Sequence, residues 1–159
     1  MKKKIAWILM LGCMLIGLLS GCGSSTAVNQ IDTAQLADDI YQGVTWKDQI
    51  SEVNLDKALK LYGISSDVII SGKVYISTNA TAEEIAVFEV ATEDQVSTVQ
   101  TAVEDRVASQ KASFESYNAE EVPKLNAPLI VTKGQYVILV VCDTTSEAKT
   151  VIDNAFSGN

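Results

Sequence analysis

The sequence contains no histidine, and this absence restricts the chemistry open to the protein more than any other feature of its composition. Histidine is the commonest general base, it activates serine and cysteine nucleophiles, and it is a ligand in most zinc sites. The chain also lacks a Gly-rich phosphate loop, a Gly-x-Ser-x-Gly motif, a Cys-x-x-Cys pair and an Asp-x-Asp-x-Asp-Gly calcium loop. An enzyme built from this chain would need a substitute, such as paired carboxylates or a perturbed lysine.

The first 22 residues have the pattern of a secretory signal. Lysines occupy positions 2 to 4, and residues 5–19 form an apolar run without a charge. This run of about 15 residues is shorter than the roughly 20 that a helix needs to cross a bilayer. We therefore expect a cleaved signal, with an uncleaved membrane anchor as the alternative.

The residues Leu19-Ser20-Gly21-Cys22 at the end of this segment resemble the lipobox of bacterial lipoproteins. In that family a diacylglyceryl group is attached to the cysteine and the signal is cut just before it. The resemblance implies that residues 1–21 are a lipoprotein signal peptide and that Cys22 is the lipidation site. One acyl chain binds a membrane reversibly whereas two hold it stably, so the protein would be anchored on the extracytoplasmic side of the cell membrane. An ordinary signal with an incidental cysteine is the alternative.

The remaining chain is strongly acidic and poor in cysteine. Without the three N-terminal lysines it carries 9 basic and 20 acidic residues, a net charge of −11. Such a charge repels phosphate backbones and anionic lipid headgroups, which excludes nucleic acid as an expected partner. If Cys13 leaves with the signal and Cys22 is lipidated, Cys142 is the single remaining thiol and no intramolecular disulfide can form. The domain must then be stabilised by its core.

Residues 22–30 are small and polar, as in a flexible tether, and residues 31–159 are long enough for one domain. Helices are predicted where polar residues with N-cap or capping-box spacing precede an apolar face. We expect two short N-terminal helices, a long helix over residues 92–116 and a C-terminal helix. Their predicted N-caps are Asp32, Asn54, Thr92 and Thr144.

Apolar and polar residues alternate where the strands are predicted. Lys133 and Gly134 suit a two-residue hairpin turn, and Thr81 with Glu84 has the spacing of a cap for a helical turn. The sequence therefore predicts an α+β fold, in which helices cover a four-stranded antiparallel sheet made of two hairpins. The predicted strands are residues 71–77, 85–91, 128–132 and 135–142, the last of them central.

The thiol and the acidic residues offer weak candidates for a site. Cys142 lies beside Asp143 in an apolar strand, and both features raise a thiol pKa, so we interpret it as structural, with a reactive thiol as the alternative. Adjacent acidic pairs such as Glu83-Glu84 diverge in a helix or strand. We expect solvated faces there, with a calcium site assembled from distant carboxylates as the alternative. The sequence indicates no metal site and no cofactor.

The most unusual local feature is on the predicted long helix. Gln110 falls within the apolar stripe, and Arg106, the single arginine of the chain, flanks it. Because a buried polar group needs partners, we expect Gln110 to bind backbone groups of the loop over residues 117–125. We expect Arg106 to pair with Glu120 or Glu121. In the alternative, Arg106, Tyr117 and Tyr136 line a groove in which Arg106 binds a carboxylate or phosphate.

A further set of residues is spread over most of the domain: Glu84-Ile-Ala-Val-Phe-Glu89, Arg106, Gln110, Phe114, Tyr117, Val122-Pro-Lys-Leu125, Lys133-Gly-x-Tyr-Val137 and Asp143. These residues are similar to those of an uncharacterised lipoprotein domain of clostridial and related Gram-positive bacteria, domain of unknown function 4358. The resemblance implies a membrane-anchored extracytoplasmic protein and no catalytic residue that could be carried over.

The function that these features favour is a non-enzymatic binding or interaction module, with an envelope protein, a peptide or a wall polymer as its partner. A His-independent envelope enzyme that uses carboxylates is the second hypothesis, and a structural envelope spacer is the third. A perturbed carboxylate pair in a deep pocket would favour the enzyme. A shallow, aromatic-lined patch would favour the binding module, and the absence of any pocket would favour the spacer.

Overall fold

The computed structural model describes residues 30–157. The predicted signal peptide, Cys22 and the predicted tether up to residue 29 lie outside the described residues. Within the described range, no helix combines the length and the apolar character that crossing a membrane requires.

The described part of the chain contains five α-helices and five β-strands, with short 3-10 turns at Ser66–Val68, Glu93–Gln95 and Ala119–Glu121. The α+β class and the antiparallel pairing that the sequence predicted are confirmed. The helices are α1 (Thr33–Gly43), α2 (Leu55–Tyr62), α3 (Val96–Tyr117), α4 (Val122–Asn126) and α5 (Thr145–Ser157), and the strands are β1 (Ile50–Val53), β2 (Ile69–Ser77), β3 (Glu84–Val90), β4 (Leu129–Lys133) and β5 (Tyr136–Val141).

The sheet has the strand order β1-β2-β3-β5-β4. The two predicted hairpins, β2–β3 and β4–β5, lie side by side because β3 pairs with β5. The prediction of four strands is wrong, since β1 adds a fifth at the edge and pairs with the last four residues of β2. β1 is only four residues long and just its first residue is buried, so it carries almost no alternation of apolar and polar side chains.

Helices cover both faces of the sheet. α2, α3 and α4 pack on one face, against the β3 residues Ala86, Phe88 and Val90. α1 and α5 pack on the other, against Ile85 and Val87. β5 is buried along its whole length, which confirms the prediction that it is covered, but the central strand of the sheet is β3 and not β5. Burial of a large apolar side chain stabilises a fold by about 1.5–3 kcal/mol, and these two cores supply that stabilisation without a disulfide in the described residues.

The ends of the elements follow from local residues. Asp32 accepts hydrogen bonds from the first turn of α1, and Asn54 accepts one from α2. Gly63 and Gly134 have positive φ angles of 66° and 55°, as the helix end and the hairpin turn require. The predicted helical turn capped by Thr81 and Glu84 is not formed, because Glu84 is the first residue of β3 and pairs with Val141 and Ile76.

Candidate functional site

Arg106 lies on α3 and forms an ion pair with Glu84 at the start of β3. The guanidinium donates from Nη2 to Glu84 Oε2 at 2.9 Å and from Nε to Oε1 at 3.3 Å. The Glu84 side chain is fully buried, whereas that of Arg106 is 17% exposed. The prediction that Arg106 pairs with Glu120 or Glu121 is therefore wrong. The carboxylate that Arg106 contacts belongs to β3, and β3 is distant from α3 along the chain but packed against it.

Two more side chains complete the hydrogen bonding of Glu84. The Tyr62 hydroxyl on α2 donates to Oε1 at 2.5 Å, and Gln110 Nε2 donates to Oε2 at 2.6 Å. The prediction that Gln110 binds backbone groups of the following loop is wrong, because its side-chain amide donates to Glu84 instead. We call Tyr62, Glu84, Arg106 and Gln110 the Glu84 cluster. It brings four donor groups to one carboxylate, which uses every acceptor position that a carboxylate has.

The electrostatics of the Glu84 cluster follow from burial and pairing. Burial, together with the charge of Glu84, raises the pKa of Tyr62 well above its usual value, so the hydroxyl stays a donor. Burial alone would lower the pKa of Arg106, but the charge of Glu84 and its hydrogen bonds outweigh this effect and raise it. Arg106 also lies over the Tyr62 ring, 5.8 Å from its centroid. Tyr62 therefore keeps its proton and Arg106 its charge at neutral pH.

Gln110 is the one imperfect member of the Glu84 cluster. Its Oε1 is buried and has no hydrogen-bond partner among the described residues. Turning the amide over would place this oxygen against the Glu84 carboxylate, so the observed orientation is the favourable one. An unpaired buried acceptor costs about 1–3 kcal/mol. The hydrogen bond to a charged carboxylate offsets that cost.

A pocket of about 180 Å³ opens beside the Glu84 cluster, between α3 and the turn that joins β2 to β3. Arg106 and Gln110 border its inner end, and Phe114 and Tyr117 form an aromatic wall, with ring centroids 4.9 Å apart. The Tyr117 hydroxyl donates to the Asn79 carbonyl at 2.7 Å, which holds the turn against the helix. Five other lining residues are serine or threonine: Ser77, Thr78, Thr81, Ser109 and Ser113.

The structure brings two of the three predicted groove residues together. Arg106 and Tyr117 line the pocket, but Tyr136 belongs to β5 and its side chain lies on the opposite face of the sheet. There its hydroxyl accepts from the Ile31 amide at 2.9 Å and its ring packs against Phe156. Odd and even positions of a strand point to opposite faces, and position 136 has the parity of the α1 and α5 face.

A second group of buried charges lies at the same end of β3. Lys124 donates to Glu121 at 2.9 Å and to Glu83 at 3.3 Å, and Lys47 reaches Glu121 at 3.3 Å. Glu83 also accepts two backbone N–H groups, from Lys47 and Asp48, at 2.8 Å each. We call Lys47, Glu83, Glu121 and Lys124 the Glu83 cluster. It ties the loop before β1, the β2–β3 turn and α4 together.

Burial changes the interpretation of some acidic residues. Glu83 and Glu84 are adjacent and diverge, as expected, but both are fully buried, as is Glu121, so the prediction of solvated faces is wrong for these residues. Within residues 30–157, no group of three or more acidic or cysteine side chains could hold a metal ion. Cys142 is buried, and burial raises its pKa to about 11. That value agrees with the interpretation of Cys142 as structural.

Glu84 and Tyr62 were not among the predicted site residues. The signal for Glu84 is its parity, because it shares the inward-facing positions with Ala86, Phe88 and Val90. A carboxylate at such a position needs a cation or several donors. Tyr62 has no comparable signal, since an aromatic residue on the apolar face of a helix is ordinarily part of the core.

The protein-family model for the domain of unknown function DUF4358 matches residues 44–142, which is more than half of the chain. The matched range contains both clusters and the pocket between α3 and the β2–β3 turn. No curated protein and no solved structure matches the chain. The chain belongs to the DUF4358 family.

Proposed function

We propose that this protein is a lipoprotein anchored through Cys22 on the extracytoplasmic side of the cell membrane, and that it acts as a non-enzymatic binding module. The support for the anchor is in the sequence, where a basic start, an apolar run and Leu19-Ser20-Gly21-Cys22 follow one another. The support for binding is the pocket beside the Glu84 cluster.

The observation that carries the binding proposal is the arrangement of Arg106. Glu84 takes one N–H of Nη2 and that of Nε, and neither N–H group of Nη1 donates to a described residue. The guanidinium is held in place by a buried anion and borders the pocket. A ligand with an acceptor group, such as a carboxylate, a carbonyl or a hydroxyl, could therefore bind without any rearrangement of the protein.

The size and lining of the pocket restrict the ligand further. At about 180 Å³ the pocket is smaller than the roughly 300–1,000 Å³ of sites for drug-sized molecules. It suits one residue or sugar unit of a larger molecule. Hydroxyl groups and an aromatic wall favour a polar unit with one flat face. A fragment of a wall polymer or a peptide of the envelope has these properties.

The hydrogen bonds that Glu84 and Glu83 accept argue against the hypothesis of an enzyme that uses carboxylates. A general base must have a free acceptor position within reach of substrate. Glu84 already accepts four hydrogen bonds. Glu83 also accepts four, from two backbone amides, Thr81 and Lys124. Both carboxylates are thus committed to protein donors.

The anchor is tested by the mass of the protein purified from the membrane of a bacterial host that processes lipoproteins. We expect the mass of a chain that begins at Cys22 and carries a diacylglyceryl group. The Cys22→Ala variant should keep its signal or appear in the medium without lipid. An unmodified Cys22 on a chain cut elsewhere would contradict the proposal.

The pocket is tested with N-acetylmuramyl-L-alanyl-D-isoglutamine, a probe that combines a sugar, amide groups and a carboxylate. Its affinity for the protein is measured by NMR titration. Ser109→Leu should fill the pocket and weaken binding at least about tenfold, because Ser109 is an exposed lining residue that makes no side-chain contact to Glu84. Ala112→Leu is the control, on the exposed side of the same helix. Equal affinity for the two variants would place any binding elsewhere.

A further inference from the structure

β2 leaves half of its outer edge without a strand partner. β1 pairs only with the stretch from Val74 to Ser77, because the chain leaves β1 at Val53 and begins α2 at Leu55. Among the described residues, positions 69–73 of β2 have no backbone hydrogen bond on that side. An open edge presents N–H and C=O groups to which another extended chain can add.

The open edge forms the floor of a groove of about 650 Å³. The first residue of α1 borders it on one side, where Thr33 Oγ1 donates to Ser71 Oγ at 3.0 Å. The first residue of α2 borders it on the other, since a Cβ placed on Gly72 would lie 3.3 Å from Leu55 Cδ1. The groove therefore follows the line that β1 would take if it continued past Val53.

The charge of the groove has one sign. Its lining includes two carboxylates, Asp32 and Glu89, and no lysine or arginine. Asp32 uses Oδ1 to cap α1, so its Oδ2 has no partner among the described residues. Glu89 accepts from Ser71 through Oε2 and also lies beside the Tyr136 hydroxyl. The nearby Lys73 on β2 is already paired with Asp38 and Glu52.

An apolar residue marks the outer end of the same edge. Pairing of β2 with β3 is interrupted between Ile69 and Ser71, and the extra residue, Ile70, is 60% exposed. Edge strands are commonly protected by lysine or another charge, and this edge carries an isoleucine there instead. An apolar side chain at this position offers a contact to a strand that adds to the edge.

From these observations the geometry points to a docking site for an extended, positively charged peptide segment of a partner protein. The segment adds as a short strand beside residues 71–73 of β2, and its lysine or arginine side chains pair with Asp32 and Glu89. This site is separate from the pocket beside Arg106, and it does not depend on what that pocket binds. Main-chain hydrogen bonds supply the affinity, and the two carboxylates select the charge.

The experiment titrates the full chain, in detergent micelles, with three capped eight-residue peptides and follows backbone amide signals by NMR. The first alternates lysine and valine, the second alternates glutamate and valine, and the third repeats Lys-Lys-Pro-Pro. Proline lacks the N–H that strand pairing needs, and in either register every second edge-facing residue of the third peptide is a proline, so this peptide has the same charge but cannot pair regularly with the edge. We expect only the first to shift the amides of residues 71–73 and to slow hydrogen exchange of the Gly72 amide, which faces the open edge.

Two pairs of variants locate the contact. Ile70→Lys should abolish the shifts because it places a cation on the edge, whereas Leu61→Lys should not, although Leu61 on α2 is also exposed. Glu89→Gln should weaken binding about two- to fivefold, as expected for a partly exposed ion pair, and the exposed control Glu93→Gln should leave it unchanged.

Three results would overturn the proposal. Equal binding of the lysine-proline peptide would mean attraction by net charge alone. Slow exchange of the Gly72 amide in the free chain would mean that the chain itself covers the edge. Slow exchange that appears only at high protein concentration would mean that a second copy covers it.

Discussion

The Glu84 cluster and the Glu83 cluster contain adjacent glutamates that are both fully buried, yet their partners differ in kind. Glu84 accepts only from side chains, those of Tyr62, Arg106 and Gln110. Glu83 accepts from two backbone amides as well as from Lys124. A carboxylate that accepts from backbone N–H groups fixes the position of the backbone itself. A carboxylate that accepts only from side chains fixes those side chains.

This difference separates a structural role from a binding role. The Glu83 cluster joins three segments that have no regular pairing with one another, and its cation, Lys124, is 4% exposed. The Glu84 cluster joins α2, α3 and β3, which are already packed, and its cation, Arg106, borders a pocket. Disruption of the first should therefore destabilise the fold more, and disruption of the second should affect the pocket more.

Loss of Lys124, which pairs with both Glu83 and Glu121, should have the largest effect on the stability of the fold. Lys124→Met leaves two fully buried carboxylates, Glu83 and Glu121, without their main cation, and breaking a buried ion pair costs about 3–5 kcal/mol. We expect a fall in the free energy of unfolding of about 5 kcal/mol, measured by urea denaturation. Lys149→Met is the control, since Lys149 is 61% exposed and its pair with Asp153 is worth about 1 kcal/mol or less. Similar urea midpoints for both variants would remove the structural role of the Glu83 cluster.

Glu84→Gln should have the next largest effect. It removes the charge that balances Arg106, and the expected loss is about 3 kcal/mol, because Arg106 can turn toward solvent through the pocket. Thermal and urea unfolding measure this loss, and Glu104→Gln on the exposed side of α3 is the control. The double variant with Arg106→Gln should lose less than the sum of the single changes. Additive losses would mean that the ion pair contributes nothing.

The acid stability of the Glu83 cluster gives a third comparison. Burial raises the pKa of Glu121, but the Ala82 amide and Lys124 outweigh burial and hold it below its ordinary value of 4.5. Its stabilisation is therefore present above pH 4.5 and is lost as the pH falls through the lower folded value. Glu121→Gln should lose about 1–3 kcal/mol at pH 7, and its difference from the wild type should shrink below pH 4.5. A difference independent of pH, in urea titrations from pH 3 to 7, would contradict this assignment.

Gln110→Leu should have the smallest effect. It removes the hydrogen bond to Glu84 and also the unpaired Oε1, and these two changes have opposite signs and similar size. We expect a change in the free energy of unfolding within about 1 kcal/mol, measured against Lys111→Leu one residue further along α3. A loss as large as that of Glu84→Gln would show that Oε1 has a partner, such as a bound water.

Local patterns predicted most of the elements because short-range physics determines them. Asp32 and Asn54 cap their helices, Gly134 forms the hairpin turn, and Val99, Val103, Val107 and Phe114 are buried along α3. β1 was missed because four residues at a sheet edge carry too little periodicity. The predicted strand began at residue 85, one residue after the observed start at Glu84, and the predicted helical turn before it is not formed.

The partners of Arg106 and Gln110 could not be predicted in the same way. The sequence correctly predicted that both residues lie on one side of α3 and that their polar side chains have partners within the protein. The identity of the partner depended on the pairing of β3 with β5 and on the position of α2. These contacts join segments that are distant along the chain. Glu120 and Glu121 were predicted because they are close to Arg106 along the chain. Glu84 is the observed partner because it is close to Arg106 in the folded protein.

The sequence by itself determined the class of the fold, the N-caps of α1 and α2 and the absence of histidine from the protein's chemistry. Each of these follows from residue types or from spacings of a few positions. Only the tertiary structure decided that Tyr136 and Arg106 lie on opposite faces of the sheet, and that Glu83 and Glu84 belong to different clusters. It also decided that half of β2 has an open edge. The physical reason is that burial and ion pairing depend on contacts between distant segments, which form only when the sheet and its helices are assembled.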